Sequence, residues 1–171
     1  MTLQDRCRRI ELLIVDVDGV LTDGSIIYGD NEVELKVFHV RDGSGLKLWQ
    51  QAGKRSAIVS GRSAKMVAIR AAEVGIGQVI QGAADKLAAM EELLNGLTPE
   101  QVCYVGDDLP DLPVLLRCGL AVAVTDACPE VIAAAHYVTR AAGGHGAVRE
   151  TVELILSAQG LWQKLVAQYR S

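Results

Sequence analysis

Apolar residues come in short β-rich runs that alternate with stretches of helical period. Residues 11–17 hold Leu12, Leu13, Ile14 and Val15 between polar flanks and are predicted as a buried strand. Further strands are predicted at 55–60, 78–80, 101–105 and 120–124, with an extended segment at 137–139. Helices are predicted at 43–52, 64–74, 85–95, 112–117, 129–135 and 147–157. Gly53, Gly75, Gly96 and Gly119 follow four of them, where a helix stops. Between the first strand and the first helix, residues 25–28 and 33–40 read as the arms of a hairpin around Gly29, Asp30 and Asn31. No segment repeats at a fixed period, and the tail after Gly160 has no clear pattern.

Alternating strands and helices imply an α/β fold: a Rossmann-like, doubly wound parallel sheet covered on both faces. The expected organisation is a single domain over 1–171. It carries a flap hairpin at about 25–40 and a C-terminal tail at about 160–171. Only about 24 residues separate Gly19 from the helix at Gly43, so no large cap is expected. In such sheets ligands sit beyond the C-terminal strand ends. Asp16 and Asp18 end the first strand there, Ser60, Gly61 and Arg62 the second, and Asp107 and Asp108 a later one.

Composition narrows the class. At 171 residues the chain can bury roughly 70% of its unfolded surface. A net charge of −4 disfavours a general nucleic-acid binder, so no nucleic-acid partner is expected. Half the residues are hydrophobic, which excludes bulk disorder. Aromatics make up only 4%, which suits close helix-on-sheet packing better than a stacking surface. The longest apolar runs fall far short of the ~20 residues that span a bilayer. No signal-peptide core follows the charged residues 1–9. A cytoplasmic protein without a membrane partner is the expectation. Cys7, Cys103, Cys118 and Cys128 show no CxxC spacing and read as reduced thiols.

The polar residues after the strands carry the chemistry. Asp16 follows four apolar residues, and Asp18 comes two positions later, on the same side of an extended chain. A solvated turn is the simpler reading of that pair alone. Asp107, Asp108 and Asp111 add a second acidic cluster at the same rim, although helix capping beside Pro110 also accounts for Asp108 and Asp111. Carboxylates ~4 Å apart repel by about 4 kcal/mol at an effective dielectric near 20. A divalent cation reverses that penalty, and an all-oxygen donor set favours Mg²⁺. Ser60 and Gly61 offer a hydroxyl and backbone N–H groups at a strand-to-helix turn, and Lys86 offers a point charge. These are the parts of a phosphoryl-transfer site.

DVDGVLTDG, then SGR, then Lys86, then GDDLPD resembles the haloacid dehalogenase superfamily over roughly residues 11–150. The short hairpin, the segment from Phe38 to Gly43 and the AGGHGAVRE stretch resemble its capless branch of 3-deoxy-D-manno-octulosonate 8-phosphate phosphatases. That resemblance implies a Mg²⁺-dependent phosphatase of lipopolysaccharide sugar biosynthesis. Its small-molecule partner would be a sugar-acid phosphate, and its assembly a homotetramer. A nine-carbon sugar acid 9-phosphate and a non-catalytic sugar-phosphate-binding module are the alternatives. Asp16 would be the nucleophile, Asp18 the general acid and base, and Lys86 the cation beside the phosphate. Asp16, the Asp18 carbonyl and Asp107 would hold the metal, supported by Asp108 or Asp111. Thr22, Ser60 and Gly61 would meet the phosphate. His39, Val40, Arg41, Asp42, Gly43, Lys47, Arg62 and Arg70 would meet the sugar acid. His39 stands where Asn is frequent in that branch, and His145 where Arg is frequent.

Overall fold

The computed structural model describes residues 1–30 and 33–170. Six strands form one sheet: β1 (Leu12–Val15), β4 (Arg55–Ser60), β5 (Gln78–Gln81), β6 (Val102–Gly106), β7 (Leu120–Ala123) and β8 (Tyr137–Val138). Their order is β5-β4-β1-β6-β7-β8, and every pairing is parallel. The α/β expectation is met. β1 lies at the centre, with Leu12 to Val15 fully buried, as an all-apolar strand covered on both faces requires.

Helices α1 (Leu3–Arg9), α2 (Val40–Gln51), α7 (Ala147–Ala158) and α8 (Trp162–Ala167) pack together as one layer. Helices α4 (Lys86–Leu93), α5 (Leu112–Leu115) and α6 (Pro129–Ala134) form another, and α3 (Lys65–Glu73) links β4 to β5. The two largest buried side chains, Trp49 and Tyr104, each donate a hydrogen bond, Trp49 to the Arg55 carbonyl at 2.6 Å and Tyr104 to Asp111 at 2.6 Å. Cys7, Cys103 and Cys118 are buried in the core and unpaired. No helix among the described residues is long and apolar enough to cross a membrane.

Four elements differ from the sequence reading. The second hairpin arm is shorter: β2 (Ile27–Tyr28) pairs antiparallel with β3 (Glu34–Leu35) only, and Asn31 lies outside the described residues. The chain turns helical at Val40, three residues before the expected start, directly after His39 in extended geometry. Gly43 and Gly45 therefore lie inside α2, where a Cβ on Gly43 would strike the Arg70 guanidinium and one on Gly45 would press tightly on Arg149. Finally, Leu3–Arg9 and Trp162–Ala167 are helical, the first behind a Thr2–Asp5 capping box. Ser171 lies outside the described residues.

Candidate active site

The strand ends converge as the parallel topology requires. The Asp16 N–H still donates to the Val105 carbonyl (3.1 Å), so this carboxylate is held by the last rung of the β1–β6 ladder. The chain then tightens: the N–H groups of Val20, Leu21 and Thr22 all turn back to the Val17 carbonyl. Gly19 sits at φ +83°, and a Cβ there would strike the Asp107 carboxylate. A cleft of about 450 Å³ opens at this rim, lined among others by Asp16, Asp18, Ser60, Lys86, Asp107 and Asp108.

Lys86 is the hub of its floor. Its buried ammonium donates to Asp16 Oδ2 (2.6 Å) and to Asp111 Oδ1 (2.7 Å). Asp111 Oδ1 also accepts from Tyr104 (2.6 Å), and its Oδ2 accepts from the N–H groups of Asp107 (3.0 Å) and Asp108 (3.2 Å). Carboxylate oxygens of Asp16, Asp107 and Asp111 lie within 4.8 Å of one another. One ammonium thus faces three carboxylates. Burial, the Asp111 charge and the Asp16 charge push the Asp107 carboxyl up to about 7. Burial and Asp111 push Asp16 up to about 6 against the pull of Lys86. Burial disfavours the Lys86 ammonium, but Asp16 and Asp111 outweigh it and hold its pKa above the ordinary lysine value.

This uncompensated negative charge fits a divalent cation. Because both oxygens of Asp111 already accept two hydrogen bonds each, the open donor positions are on Asp16 and Asp107. Asp111 orients Lys86 and the Asp107–Asp108 turn, and its carboxylate stands beside those of Asp16 and Asp107, where it supports the site. Asp108 caps the turn Leu109–Asp111 through Leu109 N–H (2.8 Å) while still lining the cleft.

A model of haloacid dehalogenase-like hydrolases matches residues 64–150. The chain is 52% identical over 157 residues to the 3-deoxy-D-manno-octulosonate 8-phosphate phosphatase KdsC of Escherichia coli K12, covering 91% of this chain and 84% of that one. It superposes with TM-score 0.95 on the phosphatase of that name from Moraxella catarrhalis, solved with magnesium, phosphate and KDO. That pair is 42% identical over 97% of each chain. The cobalt-bound enzyme of Haemophilus influenzae gives 0.89 at 42% identity, over 92% of this chain and 93% of that one. The chain belongs to the 3-deoxy-D-manno-octulosonate 8-phosphate phosphatase family of haloacid dehalogenase-like hydrolases. It is a phosphatase.

Within this phosphatase chain the expected residues divide. Asp16, Asp18, Ser60, Gly61, Arg62, Lys86, Asp107, Asp108 and Asp111 line the cleft. Thr22 does not line it: it is buried, its hydroxyl donates to the Val17 carbonyl (3.4 Å) and accepts from Gly24 N–H (3.2 Å), which fixes the turn. The expected sugar-acid loop lies outside the cleft as well. Asp42 is buried and accepts from Gly146 N–H (3.1 Å) and Arg149 N–H (2.8 Å), capping α7. Burial raises its carboxyl pKa against those bonds. Arg70 donates to the His39 carbonyl (3.3 Å) and pairs with Glu73 (3.2 Å). His39 and His145 face each other with ring centroids 6.4 Å apart. Arg41 lines a separate cavity with Arg140, His145 and Arg149. Val40, Gly43 and Lys47 border a further surface pocket beside α2.

Sequence reading missed Lys36, Glu34 and Tyr104. Lys36 reaches from the flap to Asp18 and to Glu34 (3.0 Å), and Arg62 pairs with Glu34 (3.2 Å) and Asp18 (3.6 Å). The alternation Val33-Glu34-Leu35-Lys36-Val37 was the available signal. For Tyr104 the signal was a lone aromatic in an apolar strand, whose hydroxyl needs a buried partner.

Proposed function

We propose that this chain hydrolyses 3-deoxy-D-manno-octulosonate 8-phosphate to the free sugar acid and phosphate, through an aspartyl phosphate on Asp16. The carrying observation is one lysine shared among three carboxylates on the floor of an open cleft at the strand ends. The family relation to phosphatases of that substrate supports the choice of sugar acid.

Asp16 presents a carboxylate oxygen to the phosphorus, and Lys86 holds it in place. As the P–O ester bond breaks, Asp18 donates a proton to the departing sugar oxygen. Asp18 then takes a proton from water, whose oxygen attacks the phosphorus and frees both phosphate and Asp16. Ser60 and the Gly61 backbone, at the turn opening toward α3, are placed to take phosphoryl oxygens. Asp16, Asp107 and the Asp18 carbonyl would hold Mg²⁺, which offsets charge between the nucleophile and the phosphate dianion. Asp111 positions Lys86 and Asp107 from behind.

Further readings accompany this one: the exposed flap residues fit a homotetramer, and the enzyme acts in the cytoplasm, in lipopolysaccharide sugar biosynthesis. Kinetics with Mg²⁺ on the eight-carbon and nine-carbon sugar acid phosphates test the substrate. The eight-carbon compound is expected to show the higher kcat/KM. A preference for the nine-carbon compound, or for a sugar phosphate without a carboxylate, overturns it.

A further inference from the structure

The flap segment that reaches Asp18 is built upside down. Val33, Leu35 and Val37 are half or more exposed, whereas Glu34 and Lys36 turn inward, and the Lys36 side chain keeps only 1% of its exposure. Strand alternation puts residues 34 and 36 on one side and their apolar neighbours on the other. Inside, Lys36 touches Asp18 and Glu34, and Arg62 of the β4 turn touches the same two carboxylates. Two cations and two anions form a closed ring, and two of its members, Asp18 and Arg62, line the cleft.

Holding a hairpin in place does not require such a ring. A buried ammonium loses its hydration, and an apolar side chain would hold the flap without that cost. The ring includes Asp18, and the leaving group of a phosphate ester must lie beside Asp18 if Asp18 protonates it. A hydroxylated acid suits these groups chemically. The ammonium takes a carboxylate or hydroxyl oxygen, and Glu34 takes hydroxyl protons. Such charged hydrogen bonds discriminate far more than apolar contacts do.

We propose that Lys36, with Glu34 holding it, is a specificity-determining residue that binds the sugar-acid leaving group, releasing Asp18 as it does so. The inference rests on the sugar-acid phosphatase reading above and deepens it. Lys36→Met and Lys36→Gln are compared with the unaltered protein on 3-deoxy-D-manno-octulosonate 8-phosphate and on p-nitrophenyl phosphate, which offers neither hydroxyls nor a carboxylate. The expected result is a fall in kcat/KM of at least ~30-fold on the sugar acid phosphate, carried mainly by KM. The ratio between the two substrates should fall at least ~10-fold. Equal losses on both substrates, or no loss, overturn the assignment, because Lys36 would then serve Asp18 or the fold alone. Glu34→Gln supplies the same comparison should both lysine variants fail to fold. If the unaltered protein itself prefers another phosphate, the substrate reading fails. If it prefers the sugar acid and the variants keep that preference, only the Lys36 assignment fails.

Discussion

Lys86 has two carboxylate partners within bonding distance and a third carboxylate close by, and most of the site's behaviour follows from that imbalance. Asp16→Asn removes the oxygen able to form an acyl phosphate while keeping its shape. Turnover is expected to fall by at least ~10³-fold with the unfolding transition little changed; wild-type phosphate release by Asp16→Asn would remove it as nucleophile. The same imbalance makes the metal-free fold sensitive to pH. Asp107 and Asp16, pushed up to about 7 and about 6 from the ordinary aspartate range, bind protons more tightly folded than unfolded. Their contribution to stability is therefore fully present below the ordinary carboxylate value and is lost as pH rises through about 6 to about 7. Mg²⁺ needs the ionised carboxylates and relieves that loss. Thermal unfolding with Mg²⁺ against chelator is expected to show a larger rise in Tm at pH 8 than at pH 5. An equal or reversed difference would place the cation elsewhere.

Elements were legible where one period dominated and obscure where tertiary contacts decided. β1, β4, β6 and β7 are runs that only a buried strand explains, and their ends delivered Asp16, Ser60 and Asp107 to one rim. Residues 38–43 were harder. Val40 is β-branched and sits at a hairpin's end, yet it opens α2, and Asp42 looks like a substrate ligand until α7 is seen to start against it. No local pattern reveals a cap supplied from more than a hundred residues away. Asp42→Ala leaves two N–H groups at the start of α7 without their acceptor, a cost of roughly 2 kcal/mol. For a chain of this size that is a fall in Tm of roughly 4–8 °C. A substrate-binding role would instead raise KM and leave Tm unmoved, so calorimetry beside kinetics separates the two. Thr22 is obscure for a related reason: nothing local shows that its hydroxyl bonds within the turn, to the Val17 carbonyl and from the Gly24 N–H.

At the scale of the whole molecule, the parallel sheet explains where the site is, and the flap beside it carries an apolar face exposed in the single chain. A two-stranded hairpin is marginal by itself, and this one turns its apolar residues to solvent: Tyr28 is 71% exposed and Val37 64%, with Ile26, Ile27, Val33 and Leu35 beside them. Covering such a surface with the same surface from other copies buries it in closed symmetry. Light scattering is expected to give four times the chain mass. Leu35→Glu with Val37→Glu places charges on the outward face without touching Lys36 or Glu34, and should yield smaller species. Those species should also lose kcat/KM, because an undocked hairpin no longer holds Lys36 and Glu34 in the ring with Asp18, whereas Asp16, Lys86 and Asp107 stay fixed by the sheet. Asp107 and Asp16 would accordingly keep their Mg²⁺-dependent rise in Tm. Dissociation with unchanged kcat/KM would mean that the flap closes on its own. A tetramer that survives both charges would move the interface to another face of the molecule.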